Sequence, residues 1–218
     1  MLTLLVITDG RRHCLERTLA AADEALLADF DQRIIVNDSL DPAYWAWLDD
    51  AHGSRFTILH PDTGKRGFAG AIDAGWRAIG AGPGHVFHLE DDFVMNRTIP
   101  VPAMIEALEA DPTVAQVALI RQAWNDWERA AGGLVAAHPD AYQPATLAGH
   151  SVLLNRRCFT TNPCVYRREL VARRWPQTAE SEGLFTHELL AADFQFALWG
   201  DGAEWVTHIG DERVGCGY

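Results

Sequence analysis

The chain opens on a continuous apolar, β-branched run, Leu2 to Thr8, the pattern of a strand buried on both faces. From Arg11 to Ala28 the spacing becomes helical, with Leu15, Leu19, Ala22 and Leu26 sharing a side. The alternation then repeats. Strands are predicted at 33–38 (RIIVND), 55–60 (RFTILH), 85–89 and 114–120 (VAQVALI), and helices at 42–51, 67–79 and 102–110. Asp41 followed by Pro42 reads as a helix start, an acceptor cap and a residue whose missing N–H costs nothing in the first turn. Further on, 165–174 and 186–199 carry helical spacing and 203–210 reads as a closing strand. Residues 121–163, with Gly132-Gly133, Pro139, Pro144 and Gly149, read as loops. Strands separated by helices imply βαβ units. The expectation is an α/β fold with a mainly parallel central sheet and flanking helices, in one domain over 1–218.

In such sheets ligands bind beyond the carboxyl ends of the strands. Here those ends are polar: Thr8-Asp9, Asn37-Asp38, His60 and Glu90-Asp91-Asp92. The last group is the most informative. Three adjacent carboxylates raise one another's pKa unless a cation is shared among them, and a hard divalent ion, Mn²⁺ or Mg²⁺, takes such oxygens together with substrate phosphates. In an extended segment Glu90 and Asp92 point one way and Asp91 the other. His208, after the closing strand, is a candidate to complete the shell.

The stretch 64–80 (GKRGFAGAIDAGWRAIG) has a smooth face of Gly67, Gly70, Ala71, Ala74, Gly75 and Ala78. Each helical glycine costs about 1 kcal/mol relative to alanine, so something approaches closely, either a flat ligand or the sheet itself. Lys65, Arg66 and the N–H groups near Gly67 suggest an anion site at the helix start. The segment matches neither of the common phosphate-loop fingerprints.

Composition narrows the classes. The 218 residues carry a formal net charge of −12, which gives no general attraction to nucleic acid or anionic lipid. No stretch approaches the roughly 20 apolar residues of a membrane span. Cys14, Cys158, Cys164 and Cys216 show no C-x-x-C pairing and read as reduced thiols, and the N-terminus reads as a strand. The expectation is a cytoplasmic protein without membrane or nucleic-acid partners.

Taken in order, these segments resemble GT-A fold glycosyltransferases, especially the inverting, nucleotide-sugar-dependent glycosyltransferase family 2. LLVITDGRRHCLERTLAAA resembles that family's first strand and helix, RIIVNDSLD its second strand, and GKRGFAGAIDAGW its nucleoside-lining N-x-G-x-x-x-A-x-N-x-G segment. HLEDDF resembles the D-x-D metal motif, NPCVYRRELV with GLFTHELLAADFQFALWGDG the acceptor region, and VTHIGDERVGCGY the closing strand whose histidine joins the metal. Departures are Glu90 as first acid of the metal motif, Ala192-Asp193 in place of an acidic pair opening a helix, and small residues at several nucleoside positions.

The resemblance implies a nucleotide-binding half over 1–92 and an acceptor-side half with a C-terminal tail over 93–218. It implies a nucleoside-diphosphate sugar donor, UDP-linked by preference, and a hydroxyl acceptor on a protein or glycan. Metal would be held by Asp92, Glu90 and His208. The donor would be held by Thr8, Asp9, Asp38, Lys65, Gly67 and Asp91, with Arg213 as a lid on the diphosphate. Asp193 would serve as general base, with Glu188 as its rival, and Trp124 and Trp127 would stack on the acceptor. Two other classes remain open: a sugar-phosphate nucleotidyltransferase, for which TDGRRHC is a thin phosphate loop, and a non-catalytic nucleotide-sugar-binding module.

Overall fold

A computed structural model describes residues 1–210. The first half runs β1 (Leu2–Thr8), α1 (Arg12–Ala25), β2 (Gln32–Asn37), α2 (Pro42–His52), β3 (Thr57–Leu59), α3 (Gly67–Ile79) and β4 (His85–Glu90). There follow β5 (Phe93–Met95), α4 (Val101–Ala110), β6 (Val114–Ala118), α5 (Asp126–Ala131), α6 (Leu134–Ala137), and the hairpin β7 (Gln143–Leu147) with β8 (His150–Asn155). The described chain closes with β9 (Cys164–Arg167), α7 (Ser181–Ala191), β10 (Gln195–Trp199) and β11 (Val206–His208).

Nine strands form one sheet in the order β3-β2-β1-β4-β9-β6-β10-β8-β7, while β5 and β11 pair separately. β3, β2, β1 and β4 are mutually parallel, β6 and β10 are parallel to each other, and β9 and β8 run against their neighbours. The apolar runs of β1 and β2 alternate between two cores. Leu4, Val6 and Ile35 face α1, α2 and α4 through Leu15, Leu19, Leu48 and Met104. Leu5, Ile7, Ile34 and Val36 face α3 and α7 through Ile72, Trp76, Phe185 and Leu189. Each such side chain contributes about 1.5–3 kcal/mol when fully buried, which is why a strand apolar on both sides belongs in the middle of this sheet.

The helix predicted over 67–79 is α3, residue for residue, and Asp41 caps α2 by accepting the Ala43 N–H at 2.9 Å. Of the smooth face of α3, Ala71 and Gly75 are buried, while Gly67 and Ala78 are exposed. A Cβ on Gly75 would lie 2.7 Å from Leu5 Cδ1 and 3.1 Å from Val36 Cγ2, so glycine lets this helix lie directly on β1 and β2.

Three expectations fail in the second half. The helix expected over 165–174 is β9 followed by a 3-10 turn over Arg168–Arg173. Inserted between β4 and β6, the strand Cys164–Arg167 pairs on both edges, a tertiary gain that overrides local spacing. The helix expected over 186–199 begins earlier, at Ser181, and ends at Ala191; Asp193 then takes φ +62° and the chain returns as β10. The stretch expected to be loop over 121–163 contains α5, α6 and the β7–β8 hairpin, which turns through Ala148 and Gly149 at φ +49° and +84°.

Candidate active site

The parallel strands bring their carboxyl ends to one edge. Thr8 stands opposite Asn37 in the β1–β2 register, and Ile7 opposite Glu90 in the β1–β4 register. Thr8 Oγ1 donates to Asp91 Oδ2 at 2.7 Å, and the Asp9 N–H reaches the same oxygen at 3.3 Å. Lys65 Nζ lies 2.5 Å from Asp9 Oδ1. Asp38 is buried and accepts the N–H groups of Arg66 (2.6 Å) and Gly67 (2.9 Å) on its two oxygens. The anion at the start of α3 is therefore a carboxylate of the chain itself. Burial pushes the Asp38 carboxyl up, and these two amides pull it back.

The acids at the end of β4 and just beyond it divide into three settings. Asp91 is buried and turned toward β1, where the Arg11 guanidinium reaches its Oδ1 through Nη2. Burial pushes its carboxyl up to about 6 against the pull of Arg11 and Thr8. Asp92 is also buried, with Oδ2 2.6 Å from Arg11 Nη1 and 3.1 Å from His208 Nε2. Burial alone would raise it, but the His208 hydrogen bond and the Arg11 charge outweigh that and hold it below the ordinary carboxylate range. Glu90 is half-buried, and burial followed by the neighbouring Asp92 charge raises its carboxyl well above the usual range.

His208 arrives through a short ladder. β11 pairs antiparallel with β5, His208 stands opposite Phe93, and the Ile209 N–H donates to the Asp92 carbonyl at 2.7 Å. Its ring also packs against Phe93 and Trp124, each with centroids 4.9 Å away.

Glu90 and Asp92 open onto a cleft of about 1030 Å³, whose walls include Arg11, Trp124, Arg157, Thr161 and Glu182. Glu182, in the first turn of α7, is the acid the sequence reading missed. Its Oε1 accepts both the N–H (2.8 Å) and the hydroxyl (2.9 Å) of Thr161. The available signal was the triplet Glu180-Ser181-Glu182 just ahead of an apolar run, an acidic helix start.

The expected bases lie elsewhere. Asp193 sits on the turn after α7, its side chain 89% exposed and 3.2 Å from Arg156. Glu188 pairs with Arg173 at 3.1 Å, and neither acid lines the cleft. The expected helix-opening acids fall at the end of α7 because that helix starts and stops earlier than its spacing suggested. Arg213 and Cys216 lie outside the described residues. Trp124 is 49% exposed in the cleft wall, held by its backbone N–H donating to Glu128 Oε2 (2.7 Å) and by Arg121 5.4 Å from its ring centre. Trp127 is exposed beside His138.

The metal expectation meets a partial fit. Among the described residues no three His, Cys, Asp or Glu side chains form a metal-holding group. Two donors do converge, Asp92 and His208, and buried Asp92 Oδ1 has no hydrogen-bond partner among those residues. A carboxylate and an imidazole suit an Mn²⁺ ion that takes the rest of its shell from water and phosphate.

No protein-family model matches the sequence, and no curated protein matches it. Solved structures do. A mannosyltransferase from Pyrobaculum calidifontis, PcManGT, in complex with GDP-Man and Mn²⁺, superposes at TM-score 0.66 with 18% identity over 98% of this chain and 58% of that one. Residues 1–349 of S. aureus TarS with UDP-GlcNAc give 0.65 and 15%, over 99% and 60%. GalNAc-T7 with UDP, GalNAc and Mn²⁺ gives 0.69 and 9%, over 95% and 44%. The chain thus has the fold of GT-A-type glycosyltransferases and spans roughly half the length of these structures.

Proposed function

We propose that the chain is a glycosyltransferase that moves a sugar, with inversion, from a nucleoside-diphosphate donor to an acceptor hydroxyl. The carrying observation is that Asp92 with His208, at the end of the parallel sheet, and Glu182, at the start of α7, line the same cleft. A divalent ion bound by Asp92 and His208 would neutralise charge on the departing diphosphate. Thr8, Asp9, Asp38, Lys65, Gly67 and Asp91 form the edge on which the nucleoside would lie; Asp38 acts from beneath, by holding the start of α3 in place. Glu182, oriented by two hydrogen bonds from Thr161, would take the proton of the acceptor hydroxyl as it attacks the anomeric carbon. Trp124 offers the acceptor sugar an exposed ring face beside His208.

The test is a panel of UDP- and GDP-linked sugars, each with Mn²⁺, read by thermal unfolding. A donor at 100 times its Kd adds about 2.7 kcal/mol of stability. A stabilising donor that Asp92→Asn no longer senses supports the reading. No stabilisation by any donor overturns it, and stabilisation without turnover on any acceptor would mark a binding module.

A further inference from the structure

The acidic pair at 91–92 already has a cation, and it belongs to the chain. Arg11 follows directly from the turn after β1, and its guanidinium spans both carboxylates, Nη2 to Asp91 and Nη1 to Asp92. Its side chain is only 14% exposed, yet it forms part of the cleft wall. Gly210 passes so close that a Cβ there would collide with Asp92 Oδ2 and Arg11 Nη1. Asp92 Oδ2 is thus enclosed by Arg11, His208 and the Gly210 backbone, while Oδ1 stays without a partner among the described residues.

A divalent ion drawn to Asp92 meets a fixed positive charge on the same carboxylate. Two cations on one buried group repel strongly, so the second enters as the first leaves. We propose that Arg11 is a resident counter-cation that competes with the divalent ion for Asp92, and that on metal binding it is handed over to the donor's diphosphate in the adjoining cleft. A planar guanidinium suits both partners, since it grips carboxylate and phosphate alike with paired N–H groups. Metal and nucleotide then bind cooperatively. The metal frees the arginine for the phosphates, and the phosphates keep it off the carboxylates. The inference rests on the reading of Asp92 as a metal ligand, and it is testable without turnover.

The experiment titrates the full chain with Mn²⁺ in the absence of nucleotide and follows the electron paramagnetic resonance signal of the free aqueous ion. Asp92→Asn should lose the site. Arg11→Gln should bind Mn²⁺ about tenfold tighter than wild type, the scale of one charge-assisted hydrogen bond removed from a competitor. In saturating Mn²⁺ the same variant should bind UDP or GDP, whichever wild type prefers, about tenfold more weakly by calorimetry. Should Arg11→Gln fail to fold, Arg11→Lys serves. A lysine cannot bridge both carboxylates, and about threefold tighter Mn²⁺ binding is expected. Unchanged or weaker Mn²⁺ binding in a folded Arg11 variant, with Asp92→Asn still inactive toward the ion, overturns the role of Arg11 and leaves the metal reading standing. Unchanged nucleotide affinity overturns the hand-over. Mn²⁺ binding that survives Asp92→Asn overturns both.

Discussion

The two parts of the sheet solve different problems. Along β3-β2-β1-β4 the polar groups at the strand ends are satisfied by one another: Asp38 by the start of α3, Asp9 by Lys65, Asp91 by Thr8 and Arg11. Along β9-β6-β10-β8 the polar groups face a cleft, with Glu182, Thr161, Arg157 and Trp124 around it. The difference teaches where to expect rigidity and where chemistry. An edge knitted by its own hydrogen bonds is a preorganised shelf, while an open wall carries the groups that meet a substrate.

That contrast can be broken by mutations that hit one quality and spare the other. The largest effect is expected at Glu182. Glu182→Gln keeps both Thr161 hydrogen bonds but removes the proposed base, and transfer should fall by about 10²–10⁴-fold with donor binding and thermal stability near wild type. Asp193→Asn and Glu188→Gln should stay within about twofold in the same assay. A loss at Asp193 equal to that at Glu182 would return the base to the exposed turn. On the knitted side, Gly75→Ala should cost about 1–3 kcal/mol in urea unfolding, because its Cβ meets Leu5 and Val36, while kcat per folded molecule is kept. Trp124→Ala should raise the acceptor KM about tenfold, leaving donor affinity unaltered; a shift in donor affinity would blur the division between the two walls.

A separate effect is a pH dependence within β4. His88, in β4, is buried, and burial pulls its imidazole down to about 3. Between pH 6.5 and 3 the unfolded chain takes up a proton that the folded chain refuses. The contribution is therefore fully present above about pH 6.5 and declines by up to about 1.4 kcal/mol per unit as the pH falls. His88→Leu should flatten that part of the acid limb in urea unfolding at pH 7 and pH 5. An unchanged slope would show that His88 is not a source of it.

The same division governs what could be read from the chain. In the parallel half, apolar runs alternate with amphipathic helices, each local preference agrees with the fold, and α3 is legible to the residue. In the second half the decisive facts are tertiary. Cys164–Arg167 becomes a strand because a gap between β4 and β6 awaits it, and α7 ends where Asp193, a non-glycine residue, takes a left-handed conformation that sequence pattern does not reveal. FQFALW, by contrast, is a short, nearly continuous apolar run of the kind a buried strand shows, hidden behind the helical spacing before it. Asp92 and His208 were legible as candidates because each follows a buried run. Glu182 and Arg11 were not, since what distinguishes them is where the chain brings them in space.

The pairing of His208 opposite Phe93 has one more consequence. Side chains on a strand alternate between faces, so this two-stranded ribbon works as a vernier with two settings. Deleting or inserting a single residue within Phe93–Met95, or just before His208, would swing the imidazole to the opposite face while the large sheet stayed as it is. The side on which this imidazole stands is thus adjustable in one discrete step, in a ribbon that pairs separately from the nine-stranded sheet.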